Sequence, residues 1–169
     1  MVLECKFPVP HPFKYFNKGY VKFENGIFVS DSVRHSLIFD KEAADLFSKD
    51  NIVLKKSLIK DFKISGDRIK RIYIEGFSYN LPPLIIGVLL PILMFGFSYI
   101  TDSIFIWNSL IYLFVFIFYI LMFFRGKTSV KIYVSPTESE KSYEFDIFGI
   151  GRCPQLIIFG ENLNEILNK

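Results

Sequence analysis

Two cysteines, two histidines and a few acid pairs are the side chains of this 169-residue chain whose types suit chemistry. Cys5 and Cys153 stand alone without CxxC spacing, so no metal centre or redox motif can be built from them and they read as free thiols. His11 and His35 have no cluster of further ligands around them in sequence, which a metal or general-base site requires. Glu138 and Glu140 fall in the polar stretch SPTESEK, where solvation accounts for them. Gly149-Ile150-Gly151 lacks the further glycine and the Lys-Ser/Thr pair of nucleotide-binding loops. No Ser/His/Asp or Cys/His arrangement is suggested. The expectation is a non-enzymatic protein without catalytic residues, metal ligands or cofactor.

The residues that suggest binding are basic. Lys55, Lys56, Lys60, Lys63, Lys70 and Arg71 gather just ahead of a long apolar run, where basic side chains each add about 1 kcal/mol of attraction to anionic lipid. A solvated sheet face carrying topology signals explains the same set. Asp61 and Asp67 interrupt it, which argues against nucleic acid. The expected partners are membrane lipids, other membrane proteins or further copies of the chain.

The element that must position these groups is Leu81 to Phe124. Its two apolar runs, residues 81–100 and 104–124, are parted only by Thr101-Asp102-Ser103, and each is about the 20 residues that carry a helix across a hydrocarbon core of roughly 30 Å. The expectation is a transmembrane helical hairpin. Lys63, Arg68, Lys70 and Arg71 before it and Arg125, Lys127 and Lys131 after it would place both termini on the cytoplasmic side of the plasma membrane. Met1 to Phe16 has no apolar core of a signal peptide, so the hairpin itself would direct insertion. Gly87 would allow close approach of the second helix, Pro91 would kink the first, and Asn108 and Tyr112, one turn apart, would face a partner helix.

The flanking segments read as β-rich. In Tyr20 to Ser30, Val21 and Phe23 alternate with Lys22 and Glu24 up to Asn25-Gly26, a pair that suits a tight type I′ hairpin turn. A strand is expected over His35 to Phe39, then a short helix capped by Asp40 and running to Lys49. Strands are expected within Ile52 to Ile64 and over Ile69 to Phe77. A second hairpin is expected from Val130–Val134 and Tyr143–Ile147. From Pro154, Leu156, Phe159, Leu163, Ile166 and Leu167 recur at helical spacing, although Gly160 leaves open a last strand followed by a helix from Asn162. The proline-rich start FPVPHPF is expected to be extended.

An arm of 45 residues is small for an independent fold, so residues 1–80 and 125–169 are expected to build one cytoplasmic domain together. The expected class is membrane α+β: a transmembrane hairpin inserted in a small antiparallel β-rich domain with a C-terminal helix. IVLKKSLIKDFKI as a mid-sheet strand pair, and SYEFDIFG followed by LNEILNK as last strand and closing helix, resemble bacterial membrane-anchored pleckstrin-homology-like proteins. The resemblance implies a sheet-and-helix module for lipid or protein contacts. Such a chain would be an anchoring or accessory subunit of a membrane complex; the alternative is a membrane effector or pore-forming subunit that oligomerises through its hairpin.

Overall fold

The computed structural model describes residues 2–9, 18–35, 41–54, 58–59, 61–79, 81–100 and 105–168, with side chains at all of these except 18, 58, 94–95, 97–100 and 105–110. The chain divides into two compact units, Met1–Phe77 with Lys127–Lys169, and Ser78–Gly126. Residues 10–13 of the expected extended segment FPVPHPF, residues 36–39 of the strand expected over His35 to Phe39, the Asp40 cap and the turn at residues 101–103 lie outside the described residues.

The first unit holds two antiparallel sheets. In one, β1 (Val2–Pro8), β2 (Lys18–Glu24), β3 (Ile27–Ser30) and β6 (Phe62–Ser65) lie in the order β1-β2-β3-β6. Phe23 faces Phe28 and Glu24 faces Ile27 across the β2–β3 turn. Asn25 and Gly26 make that turn at φ of 52° and 74°, a backbone region few other residues tolerate. In the second sheet, β4 (Val33–His35), β5 (Leu58–Ile59), β7 (Ile69–Ser78), β8 (Lys127–Val134) and β9 (Tyr143–Ile150) lie in the order β5-β4-β9-β8-β7. The strand reading of Ile52 to Ile64 resolves into β5 and β6, which belong to different sheets.

Alternation of side chains fixes the buried faces. Along β9, Tyr143, Phe145 and Ile147 are buried between half-buried Glu144 and Asp146, and Val130, Ile132 and Val134 do the same on β8. The two sheets share one core. Phe62 of the first sheet lies 5.0 Å from Phe145 of the second, and Phe28 lies 6.0 Å from Phe62, all three rings fully buried.

Helix α1 (Lys41–Lys49) adds Phe47, whose ring meets Phe145 at 5.2 Å. The C-terminal helix is continuous, α4 (Pro154–Leu167), with proline in its first turn as that position favours. Leu156, Phe159, Gly160 and Leu163 form its buried stripe. Gly160 does not break the helix because packing needs it small. A Cβ there would sit 3.2 Å from both Ile74 and Val130 side chains. Gly160→Leu is therefore expected to destabilise the unit by about 1–3 kcal/mol through overpacking, measured as a lowered midpoint in urea unfolding.

The second unit is a pair of helices, α2 (Leu81–Ile100) and α3 (Phe105–Arg125). Among the described residues, no helix is long and apolar enough to cross a membrane. The transmembrane reading of residues 81–100 and 104–124 is corrected accordingly, and with it the membrane fold class and the description as a transmembrane protein. The described architecture is α+β, with two antiparallel sheets and four α-helices. In place of one small β-rich domain, the first unit has two sheets, and the expected short helix to Lys49 is α1.

Candidate functional site

A groove of about 540 Å³ opens on the first unit between residues 67–70 and the β8–β9 loop, lined by Asp67, Arg68, Lys70, Ser135, Pro136, Thr137, Ser139 and Glu140. Its position follows from local structure at three places. At the end of α1, Asn51 takes φ of 61° and the N–H of Ile52 bonds the Phe47 carbonyl at 2.9 Å. This is a left-handed helix stop, and it leaves Asp50 just beyond the last turn. Between β6 and β7, a 3-10 turn (Gly66–Arg68) is pinned by the Gly66 N–H on the Gly26 carbonyl at 2.7 Å. The Ser135 N–H then bonds the Arg68 carbonyl at 3.0 Å and ties the β8–β9 loop to that turn.

Asp50 joins all three. Its carboxylate accepts from the Thr137 N–H at 3.1 Å and from the Thr137 hydroxyl, and it pairs with the Arg68 guanidinium at 2.7 Å. The Asp50 side chain is 10% exposed. A carboxylate at a helix C-terminus faces the negative end of the dipole, and these three donors offset that. Burial pushes the Asp50 carboxyl up, but the Thr137 hydroxyl, Arg68 and the Thr137 N–H outweigh it and hold it below the ordinary range. Nearby, Lys49 pairs with Glu138 on the same loop.

The outward face of the second sheet carries a separate polar row. Arg34, Asp146 and Lys131 are cross-strand neighbours. Lys131 pairs with Glu144 at 3.2 Å and Glu75 at 3.6 Å, and Glu75 accepts from the Ser129 hydroxyl. Burial raises the Asp146 carboxyl. The row is only partly compensated, since one Asp146 carboxylate oxygen is buried without a hydrogen-bond partner among the described residues.

The basic residues expected to act together are only partly described. Lys55, Lys56 and Lys60 lie outside the described residues. Lys63 is exposed on β6, opposite Val29, and Lys70 and Arg71 are exposed on β7 of the other sheet. Of the described members of the set, only Lys70 lines the groove. Among the helix residues, Gly87 is buried where a Cβ would come within 2.5 Å of the Tyr119 Cβ, so the two helices approach closely there. Pro91 is half-buried in the interior of α2 and Tyr112 half-buried on α3; Asn108 lies within the α3 span.

Arg68, Ser135 and Thr137 line the groove and Asp50 ties two of them together; sequence reasoning took Arg68 only as a topology signal and did not single out the other three. The hydroxyl-rich Ser135-Pro136-Thr137 is visible as a polar turn, but no spacing rule links it to residues 50 and 68. Both cysteines are buried. Burial, with Cys153 nearby, pushes the Cys5 thiol up to about 11. Burial likewise raises Cys153 against a lowering hydrogen bond from Thr128. Such thiols are protonated and poorly nucleophilic at neutral pH. Among the described residues, no group of three or more His, Cys, Asp or Glu side chains is placed to hold a metal ion. No protein-family model, curated protein or solved structure matches the chain.

Proposed function

We propose that this is a non-enzymatic binding protein in which the two-sheet unit is a recognition module and the helix pair is covered by lipid. One observation carries the reading. The described side chains of α2 and α3 are almost all apolar and largely open: Leu89 is 53% exposed, Leu93 68%, Phe114 73%, Leu121 64% and Phe124 61%. Water-facing surfaces rarely hold contiguous apolar patches beyond a few hundred Å². Leu81 to Leu93 and Ile111 to Phe124 contain no charged side chain, so a covering surface needs no complementary charge. Lipid meets that condition over a whole helix circumference. At one end, Tyr79 stacks on Phe123 at 5.1 Å, with Arg125 following in sequence. Aromatic and basic side chains favour the lipid–water boundary. The reading concerns what covers the helices and does not require them to cross.

The test is flotation of the purified full chain, diluted from mild detergent, with phosphatidylcholine vesicles. The wild type is expected to rise with the vesicles. Leu89→Glu combined with Phe114→Glu, both at open positions, should leave most of the protein at the bottom while far-ultraviolet circular dichroism is kept. A wild type that stays at the bottom as a soluble monomer or oligomer overturns the lipid reading. Dose-dependent release of a trapped dye overturns a purely binding role.

A further inference from the structure

Ser135 is 4% exposed, yet its hydroxyl has no hydrogen-bond partner among the described residues. It lines the groove. A buried polar group left unpaired costs about 1–3 kcal/mol, so a ligand in the groove that reached this hydroxyl would gain by pairing it.

The neighbouring groups decide the chemistry. Arg68 meets Asp50 through one terminal nitrogen, and a guanidinium has five N–H donors in all. Lys70 is exposed at the groove. Ser139 accepts the Lys141 N–H at 3.2 Å on its hydroxyl oxygen, which leaves its O–H to donate. The Thr137 hydroxyl is spent on Asp50. Two carboxylates also line the groove. Asp67 is exposed, and the Ser65 hydroxyl that bonds it, with Arg68 and Lys70 nearby, holds it below the usual range. Glu140 is exposed on the loop. The lining therefore holds two cations, Arg68 and Lys70, the hydroxyls of Ser135 and Ser139, and two carboxylates, Asp67 and Glu140.

We infer that this groove binds a phosphate-type oxyanion, as inorganic phosphate or as the phosphomonoester of a larger molecule. A tetrahedral oxyanion offers several acceptor oxygens around one centre, which suits hydroxyl, ammonium and guanidinium donors arriving from two separate segments. The inference stands apart from the lipid reading, since it rests on the first unit alone.

The test is calorimetric titration of inorganic phosphate, to about 10 mM, into the full chain in mild detergent without vesicles. That range covers binding as weak as millimolar. Binding is expected in the wild type. Lys70→Gln and Ser135→Ala should each weaken it about tenfold or more, the loss expected for one charge-assisted or buried hydrogen bond. Glu140→Gln should tighten it. No binding by the wild type, or equal binding by wild type, Lys70→Gln and Ser135→Ala, overturns the proposal. Lys70 is exposed, so its variant carries the test even if Ser135→Ala fails to fold.

A second arm separates the sources of phosphate. Vesicles carrying a phosphomonoester lipid are compared with phosphatidylcholine alone, with inorganic phosphate as competitor. Extra recruitment that phosphate abolishes supports a headgroup ligand. Equal recruitment, alongside phosphate binding in solution, supports a soluble one.

Discussion

Phe145→Ala is expected to remove about 3–5 kcal/mol of stability, the range for deleting a buried aromatic ring. Domains of this size are held by only about 5–15 kcal/mol, so the variant should stand close to unfolding. Phe145 is fully buried on β9, and what it touches explains the size of the effect. It meets Phe62 of the other sheet at 5.0 Å, Phe47 of α1 at 5.2 Å and an interplanar angle of 90°, and His35 of β4 at 6.3 Å. Two sheets and a helix thus lean on one ring, and little can move in to fill the space without displacing the others. Edge-on contacts of this kind add about 0.5–1.5 kcal/mol each beyond buried area. Urea unfolding of the full chain, followed by near-ultraviolet circular dichroism, measures the loss. Phe145→Leu should cost less than half as much, because it keeps most of the volume. A loss below about 1 kcal/mol in the alanine variant would show that the sheets do not depend on this contact.

The importance of Phe145 is only half visible in the sequence. Its alternation with Glu144 and Asp146 marks an inward-facing strand position, and the hairpin with Val130–Val134 follows from the same pattern. Local rules also place the Asn25-Gly26 turn and the stripe along α4, since both depend on residues a few positions apart. The division into two sheets escapes such rules. Phe62 and Ile64 alternate just as Ile72 and Ile74 do, yet β6 pairs with β3 and β7 with β8. Period-2 patterning says which side chains turn inward and nothing about which sheet receives the strand. The apolar run shows the complementary failure. Hydropathy marks residues 81–100 and 104–124 as two long apolar runs, whereas among the described residues no helix is long and apolar enough to cross a membrane. The groove was hidden for a third reason: Asp50 and Thr137 are 87 residues apart. Each is an unremarkable polar residue until the fold brings them together.

That long-range tie gives the second large effect. Asp50→Asn should cost about 1.5–3 kcal/mol, the range for hydrogen bonds to a charged group. Asparagine keeps the shape and one acceptor oxygen, but it cannot serve the Thr137 N–H, the Thr137 hydroxyl and Arg68 together as the carboxylate does. It also leaves the Arg68 guanidinium, whose side chain is 28% exposed, without its opposite charge. The effect has a definite pH signature. Although burial raises the Asp50 carboxyl, its three donors hold it below the ordinary range, against about 3.9 when unfolded. A group whose folded pKa is depressed contributes stability that is complete above the unfolded value and disappears as pH falls through the folded one. The gap between wild type and Asp50→Asn should therefore be constant near neutrality and narrow below about pH 4. Other carboxylates, including Glu75, whose Ser129 hydrogen bond also lowers it, titrate in both proteins and cancel in the difference. Thr137→Ala should show coupling to Asp50→Asn of at least about 0.5 kcal/mol in a double-mutant cycle. Strict additivity, or a gap that stays the same down to pH 2, would mean that Asp50 does not hold the β8–β9 loop to α1 through its charge.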